Sequence, residues 1–516
     1  MKRYKYPKVS TLEYTIADFS NGLDAQTAEN ITDFDSAVNS YNFEFKDGAL
    51  SENVGFEDIT IKSTNDENSA EVAPLYSMPN SDGTFKGIAH FKEFNKTLGE
   101  RRDKIFLTSG NNQLYHTRII TQYPYFTQLE TLQFQEAPKL KSYFDGEYDC
   151  IVMFNDTDGV RSWNNQTNSV LYSNMSKIYD FCEYKGRTFA ILGGERLYIR
   201  TDSTNMLTWV EEPSLTATTI ALESERGYAN KLLAFNGYLF VIRDFGITRI
   251  NWYDSEKSYN LSHILCSGSK MYANTACVCG DRGIVLCKDG IYEFDNLSSK
   301  KLNLKINRLL SGVNNQSAVA TYRNGVYYLA CRLNFGDNTQ IGSESTTGYV
   351  NNALICYDVQ SGKCSIVRGV DISALCTIQQ FSCDKLFACF NGTYNSKVGQ
   401  LTDNGKIFGN ILPKFWRSPL SDLGFSNKIK YVKEVSLLSL YDVKLKVFSE
   451  TESREFNIKG SNIISRIPVR IKGKQIGVSI SSITAKACVS NLKLICNLID
   501  NEYVWYKPNQ VRNSKL

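Results

Sequence analysis

Arg282-Gly283-Ile284-Val285-Leu286-Cys287-Lys288-Asp289-Gly290-Ile291-Tyr292-Glu293-Phe294 is the stretch on which the fold turns. An apolar, β-branched run enters Asp289-Gly290, and a second run leaves it and ends on aromatics. Asp-Gly between two such runs is a strong hairpin signal, because the tight turn needs positive φ. Each run is of strand length rather than helix length.

The same strand–turn–strand unit recurs along the chain between about residue 85 and residue 405. Its opening runs are 103–107 (Asp-Lys-Ile-Phe-Leu), 149–154 (Asp-Cys-Ile-Val-Met-Phe), 186–192, 237–242, 282–286, 324–329 and 384–390. Turns such as Ser109-Gly110-Asn111-Asn112, Asp158-Gly159, Gly193-Gly194 and Phe245-Gly246 follow most of them. Second strands then end near aromatics, as at Leu114-Tyr115, Val160 to Trp163, Ile247 to Trp252 and Leu354 to Tyr357. With Ile105, Ile151, Phe189, Leu239, Ile284, Val326 and Leu386 as anchors, the intervals are 46, 38, 50, 45, 42 and 60 residues. Four-stranded propeller blades repeat at roughly 40–50 residues. The long interval holds Asn334 to Asn351, a polar, Gly-rich stretch that reads as an inserted loop. No helix-length pattern separates the strands, which disfavours a parallel βαβ sheet. The expectation is an all-β chain: a six- or seven-bladed β-propeller, seven preferred, over 85–405. An N-terminal extension (1–84) precedes it and a C-terminal β-sandwich-like domain (406–516) follows.

The two ends carry a resemblance. Phe19-Ser20-Asn21-Gly22-Leu23-Asp24 is followed by the polar, helix-compatible Ala25 to Ser40. Then come Tyr41-Asn42-Phe43-Glu44-Phe45, an Asp47-Gly48 turn and Val54-Gly55-Phe56. Asn42 to Phe45 alternates like a half-buried strand, and a strand from this region is expected to complete the last blade. At the other end, Phe415-Trp416-Arg417-Ser418-Pro419 and Asp422-Leu423-Gly424 lead to Lys428 to Lys433. Alternating strands follow at Val443 to Val447, Arg470 to Lys472, Ile476 to Ile480 and Leu492 to Cys496, suited to a sandwich with one face in water. This succession resembles tailed-bacteriophage virion propeller proteins, the podovirus tail nozzle and packaged-DNA-stabilisation type. The resemblance implies a structural tail component with no cofactor, assembled in the host cytoplasm and carried in the virion. It also implies a homo-oligomeric ring among tail and connector proteins, with genomic DNA passing through its channel. The alternatives are a receptor- or glycan-binding tail-tip protein and, behind it, a propeller glycosidase. A shorter window, Asp202 to Trp209, loosely resembles the Asp-box of sialidase-like propellers, but only Thr208-Trp209 fits well; chance is the better reading.

Composition narrows the field. Of 516 residues, 42 % are hydrophobic and 22 % charged, as in ordinary globular proteins. The abundance of Tyr (30) and Phe (28) suits pleated surfaces. Net charge is +4 with basic residues scattered, unlike the dense stripe of a nucleic-acid tracker. No window approaches the ~20 apolar residues of a membrane span, so no stable membrane insertion is expected. No apolar run follows the lysines of the first 20 residues, so export by a signal peptide is not expected either. The 14 Cys show no disulfide-framework spacing and read as reduced, buried small hydrophobes.

Chemistry is sparse, and no enzyme is expected. His90, His116 and His263 lack a partner at metal-ligand spacing. Cys277 and Cys279 share one strand face and read as core. Neither a phosphate-binding loop nor a G-x-S-x-G elbow occurs. Glu211-Glu212 point to opposite faces of a strand, and Asp156/Asp158 read as turn residues. No catalytic, cofactor or metal residue is assigned. Tyr123, Tyr125 and Phe126 are candidates for sugar stacking or subunit packing. The loop around 334–351 and the polar stretch Ser63 to Ala70 are candidates to order on assembly.

Overall fold

The computed structural model describes residues 10–59, 84–96, 98–101, 103–118, 127–129, 132–167, 170–172, 178–192, 196–199, 219–222, 224–253, 258–264, 268–336, 341, 350–379, 384–395 and 397–500. The Asp-box-like window, Glu211-Glu212, Tyr123, Tyr125, Phe126 and Ser63 to Ala70 lie outside the described residues, as does most of the 334–351 insertion. Strands make up 58 % of the structure and helix 3 %, so the chain is all-β.

Six four-stranded antiparallel sheets follow one another in chain order, spanning 85–128, 139–172, 180–221, 229–264, 277–301 and 319–368. Each is a meander whose strands pair in sequence order. A seventh sheet has three strands of the same kind, Ile372–Gln379, Asp384–Phe390 and Val398–Thr402. Its fourth is Gly55–Asp58, which pairs antiparallel with Val398–Thr402.

Alternation explains how the sheets stack. In Tyr238–Arg243 of the fourth sheet, Leu239 and Val241 pack with the third sheet, while Phe240 and Ile242 pack with the fifth. Val326–Cys331 does the same: Tyr327 and Leu329 face the fifth sheet, Tyr328 and Ala330 the seventh. Both faces of these strands are therefore apolar, as a strand buried on two sides requires. Apolar cores fill the spaces between consecutive sheets from first to seventh, the one between fifth and sixth being continuous with the core of the remaining strands. One more core joins seventh to first, where Ile378, Phe387 and Cys389 meet Phe85, Ile105 and Leu107. The succession is cyclic.

Lys406–Ile407 and Asn410–Ile411 extend the seventh sheet beyond Gly55–Asp58, Phe94–Asn95 pairs with Glu100–Arg101, and the other strands form two larger sheets. Sheet A runs Phe43–Lys46, Ala49–Glu52, Cys488–Asp500, Lys428–Ser439, Ser465–Gly473, with Ser10–Ile16 also on Cys488–Asp500. Sheet B runs Asn39–Tyr41, Lys414–Arg417, Ile476–Ser482, Val443–Ser449, Ser453–Ile458. Inward residues of both, among them Trp416, Leu445, Val478, Val435 and Leu494, share one core. N-terminal strands thus enter sheet A, sheet B and the seventh sheet of the cycle.

Ala25 to Val38 forms turns and bends and Asn39 opens a strand, in place of the helix the composition of Ala25 to Ser40 allows. The Asp24 carboxylate accepts the amides of Gln26 and Thr27, as an N-cap would, but the backbone beyond continues as turns. Lys305, 3.0 Å away, pins the same carboxylate.

Gly55 is needed where it stands, because a Cβ there would collide with the Lys406 carbonyl and the Asn404 side chain. Next to it Phe56 is fully buried and meets Phe390 edge-on at 5.0 Å. Phe56→Ala is expected to cost about 3–5 kcal/mol as a large-to-small core change. Phe94→Ala, at a site 52 % exposed, is expected to stay within about 0.5 kcal/mol. Chemical denaturation of the two variants checks the contrast.

Candidate functional site

First strands lie against first strands around the cycle. Phe85–Phe91 touches both Lys139–Phe144 and Ile372–Gln379, and Ala229–Phe235 touches Asp180–Tyr184 and Cys277–Cys279. These strands therefore line the inner rim. Among the described residues each has one ladder edge with no strand beside it, which leaves backbone carbonyls and amides to be satisfied in some other way.

Side chains from the neighbouring sheet supply the partners. Lys139 and Lys141 donate to the carbonyls of Tyr179 and Phe181 at 2.9 and 2.7 Å. Lys231 donates to the Ala276 carbonyl at 2.7 Å, and the Cys277 thiol reaches the Ala320 carbonyl at 3.2 Å. Asp180 accepts the Leu232 amide at 2.8 Å while paired with Lys141 at 2.6 Å. Ser142 donates to the His90 carbonyl and accepts the Lys92 amide. Thr321 and Thr377 share a hydrogen bond of 2.9 Å.

Lys139 and Lys231 keep contact with solvent, yet burial against protein pulls both ammonium pKa values down.

 Desolvation also pushes the Cys182 thiol up to about 11 and the Cys376 thiol up to about 12, so both stay protonated at neutral pH. A protonated, hydrogen-bonded thiol is a poor nucleophile. The rim reads as an edge made safe by its neighbours.

The other residues singled out in the sequence are scattered. His90 sits 3.0 Å from Asp103, which Arg101 holds from its other oxygen at 2.8 Å. Burial works against the Asp103 charge, but His90 and Arg101 outweigh it and keep its pKa below the usual carboxylate range. His263 meets Thr248. Asp158 accepts the amides of Gln135 and Glu136, which ties its turn to the first sheet's exit segment. Asp156 makes no such contact among the described residues. Cys279 is buried and Cys277 half-buried on one face, between the fifth and sixth sheets. Among the described residues, no group of three or more His, Cys, Asp or Glu is placed to hold a metal ion.

A junction that the sequence did not single out lies at Asn42. Tyr41 ends a strand of sheet B and Phe43 begins one of sheet A, so Asn42 is a one-residue corner at φ 62°. Its amide side chain donates to the carbonyls of Pro413 and Arg368 and accepts the Arg368 amide at 2.8 Å. Arg368 in turn lies over the rings of Tyr41 and Phe335 at 5.0 and 4.0 Å. The only available signal was an asparagine between two aromatics, a residue type that tolerates left-handed backbone.

Comparisons with known proteins add little. No family model and no curated protein matches the chain. Among solved structures, the computationally designed Ika8 protein aligns over 62 % of this chain and 97 % of its own. The TM-score is 0.37 at 11 % identity, too low to carry fold or function across.

His116 gives a pH test of the interface between the first two sheets. It is stacked between Phe106 and Trp163, with ring centroids 5.4 and 5.5 Å away. Burial, helped by the Lys104 ammonium, pulls its pKa down to about 4. An unfolded histidine takes up its proton near pH 6.5. Between these values the unfolded chain binds a proton that the folded chain refuses, so stability falls as pH drops through the window. The fall is expected to reach at most about 3 kcal/mol, and His116→Phe is expected to remove it. Denaturation curves of both proteins at pH 7, 5.5 and 4.5 measure the difference.

Proposed function

We propose that the chain is a seven-bladed β-propeller with a sandwich-like C-terminal domain, a non-enzymatic structural component of a bacteriophage tail. The observation that carries the reading is the cyclic succession of seven sheets closed by Gly55–Asp58. Each sheet then serves as a blade, and the N-terminal strand locks the last blade from outside its own run of sequence. Such a ring is a stiff building block, because every blade is gripped on both faces and closure removes long edges.

The inner rim supports a scaffold over an axial enzyme. Its lysines, thiols and Asp180 are engaged with neighbouring backbone, and this leaves them for sealing. The bore also bears on how DNA is accommodated. Sheets stack ~10 Å apart, so seven first strands span roughly 20 Å between backbones, and side chains fill much of that. A duplex, whose major groove alone is about 12 Å wide, does not fit through such a bore. A DNA channel therefore belongs between copies of the chain arranged in a ring, with the sandwich and the outer loops making the subunit contacts. Assembly in the host cytoplasm and residence in the virion tail follow from this reading.

Cryo-electron microscopy of particles from the producing culture tests it. Several copies forming a ring around the tail axis, each with seven blades, is the expected density. Single copies at the periphery would favour a receptor or glycan binder, and complete absence from particles would sink the virion assignment.

A further inference from the structure

Sheet B of the sandwich has an outward face that its core does not use. Trp416, Leu445, Val447, Val478 and Ile480 turn inward and are fully buried. The residues between them turn outward. Along Ile476–Ser482 these are Gly477, Ser479 and Ser481, all small. On one side stand Phe415 and Arg417, and on the other Lys444, Lys446 and Phe448. Short side chains between long ones leave a trough of about 490 Å³ along the strand. Phe448 closes one end, since a Cβ on Gly477 would collide with its ring, and the Arg417 guanidinium lies 5.1 Å from that ring.

Register sets what the trough can hold. Ser479 is paired with Arg417 on one side and with Lys446 on the other. It is 7 % exposed and lines the trough. Between a guanidinium and an ammonium, its hydroxyl is placed to donate to an anionic oxygen in the trough. The chain's own carboxylates already show this preference. Glu455 lies 2.5 Å from Lys444 and 3.4 Å from Lys446, and Glu29 lies 2.9 Å from Arg417. Three cations face two carboxylates, and part-exposed pairs of this kind are weak enough to exchange.

We propose that this trough binds an extended acidic segment of a partner protein, whose carboxylates displace Glu455 from Lys444 and Lys446. The spacing favours an extended polypeptide. Lys444 and Lys446 are two residues apart on one strand, roughly 6.7 Å, and carboxylates at alternate positions of an extended segment repeat at the same distance. The proposal does not rest on the tail reading.

The test uses the full-length protein and a fluorescein-labelled peptide, Ser-Glu-Ser-Glu-Ser-Glu-Ser, followed by anisotropy at low salt. A Gln-for-Glu peptide serves as the control. The acidic peptide is expected to bind at least tenfold tighter than the control. Lys444→Ala with Lys446→Ala is expected to weaken binding at least tenfold, Ser479→Val severalfold, and Glu455→Gln to strengthen it severalfold. Equal binding of the two peptides, or binding indifferent to the lysine pair, overturns the proposal. Dextran sulfate binding that depends on the lysines, with no binding of the peptide, overturns it in favour of an anionic polysaccharide. Should the lysine variant fail to fold, Glu455→Gln decides alone, and unchanged or weaker peptide binding is then the overturning result.

Discussion

The pairing of Gly55–Asp58 with Val398–Thr402 is the contact on which the rest depends. Each sheet of the cycle is apolar on both faces, so none is stable with a neighbour missing. The first six sheets come from contiguous sequence, but the seventh lacks its last strand until the N-terminus arrives. Without that strand the core between sixth and seventh sheets loses Phe56, and Val398–Thr402 keeps an open edge. A contact between residues this far apart in sequence is costly in chain entropy and tends to form late. The cyclic arrangement thus trades speed of closure for the absence of a long open edge.

The inner rim meets the same constraint by different means. Among the described residues no strand covers its edges, and side chains from the neighbouring sheet do. Lysine suits this role because its stem crosses the gap between sheets while its ammonium donates to a carbonyl and still touches water. Burial then lowers the pKa of Lys139 and Lys231 and raises that of the rim thiols. Perturbed groups in a central cavity usually suggest catalysis. Here the geometry gives them partners in the backbone, and the shifts follow from that packing.

The strands of the cycle were legible because their turns are chemical. Asp289-Gly290, Asn236-Gly237 and Asn324-Gly325 mark hairpins that the structure contains, with Gly237 at φ 77° and Gly325 at φ 85°. The apolar runs between them are buried on both faces. Less was readable at the ends. Asn42 to Phe45 looked like one strand, yet Asn42 is a corner and the strand is Phe43–Lys46. Ala25 to Ser40 had a helix-compatible composition, yet the segment runs as turns and a short strand. The trough on sheet B was invisible for a plainer reason. Its walls come from Lys414–Arg417 and Val443–Ser449 and its floor from Ile476–Ser482, and only the register of three separated strands brings them together. Rim lysines were equally hidden, because a lysine capping a carbonyl and a lysine in water are the same letter.

The N-terminal segment also decides how the two parts of the molecule are held. Within twenty residues it pairs with sheet B at Asn39–Tyr41, turns at Asn42, pairs within sheet A at Phe43–Glu52 and completes the seventh sheet at Gly55–Asp58. Asn42 bonds backbone of the sixth sheet and of the segment entering sheet B at once. Lys414, just beyond that point, is buried with its ammonium on the Thr484 carbonyl, and burial pulls its pKa down to about 8. A flexible linker would allow the sandwich to swing, whereas this segment is spent on β-ladders at every step. A force applied to sheet B therefore reaches the closing strand through hydrogen-bonded backbone. That is the mechanical property a subunit needs if contacts made on its sandwich are to hold a rigid ring in place.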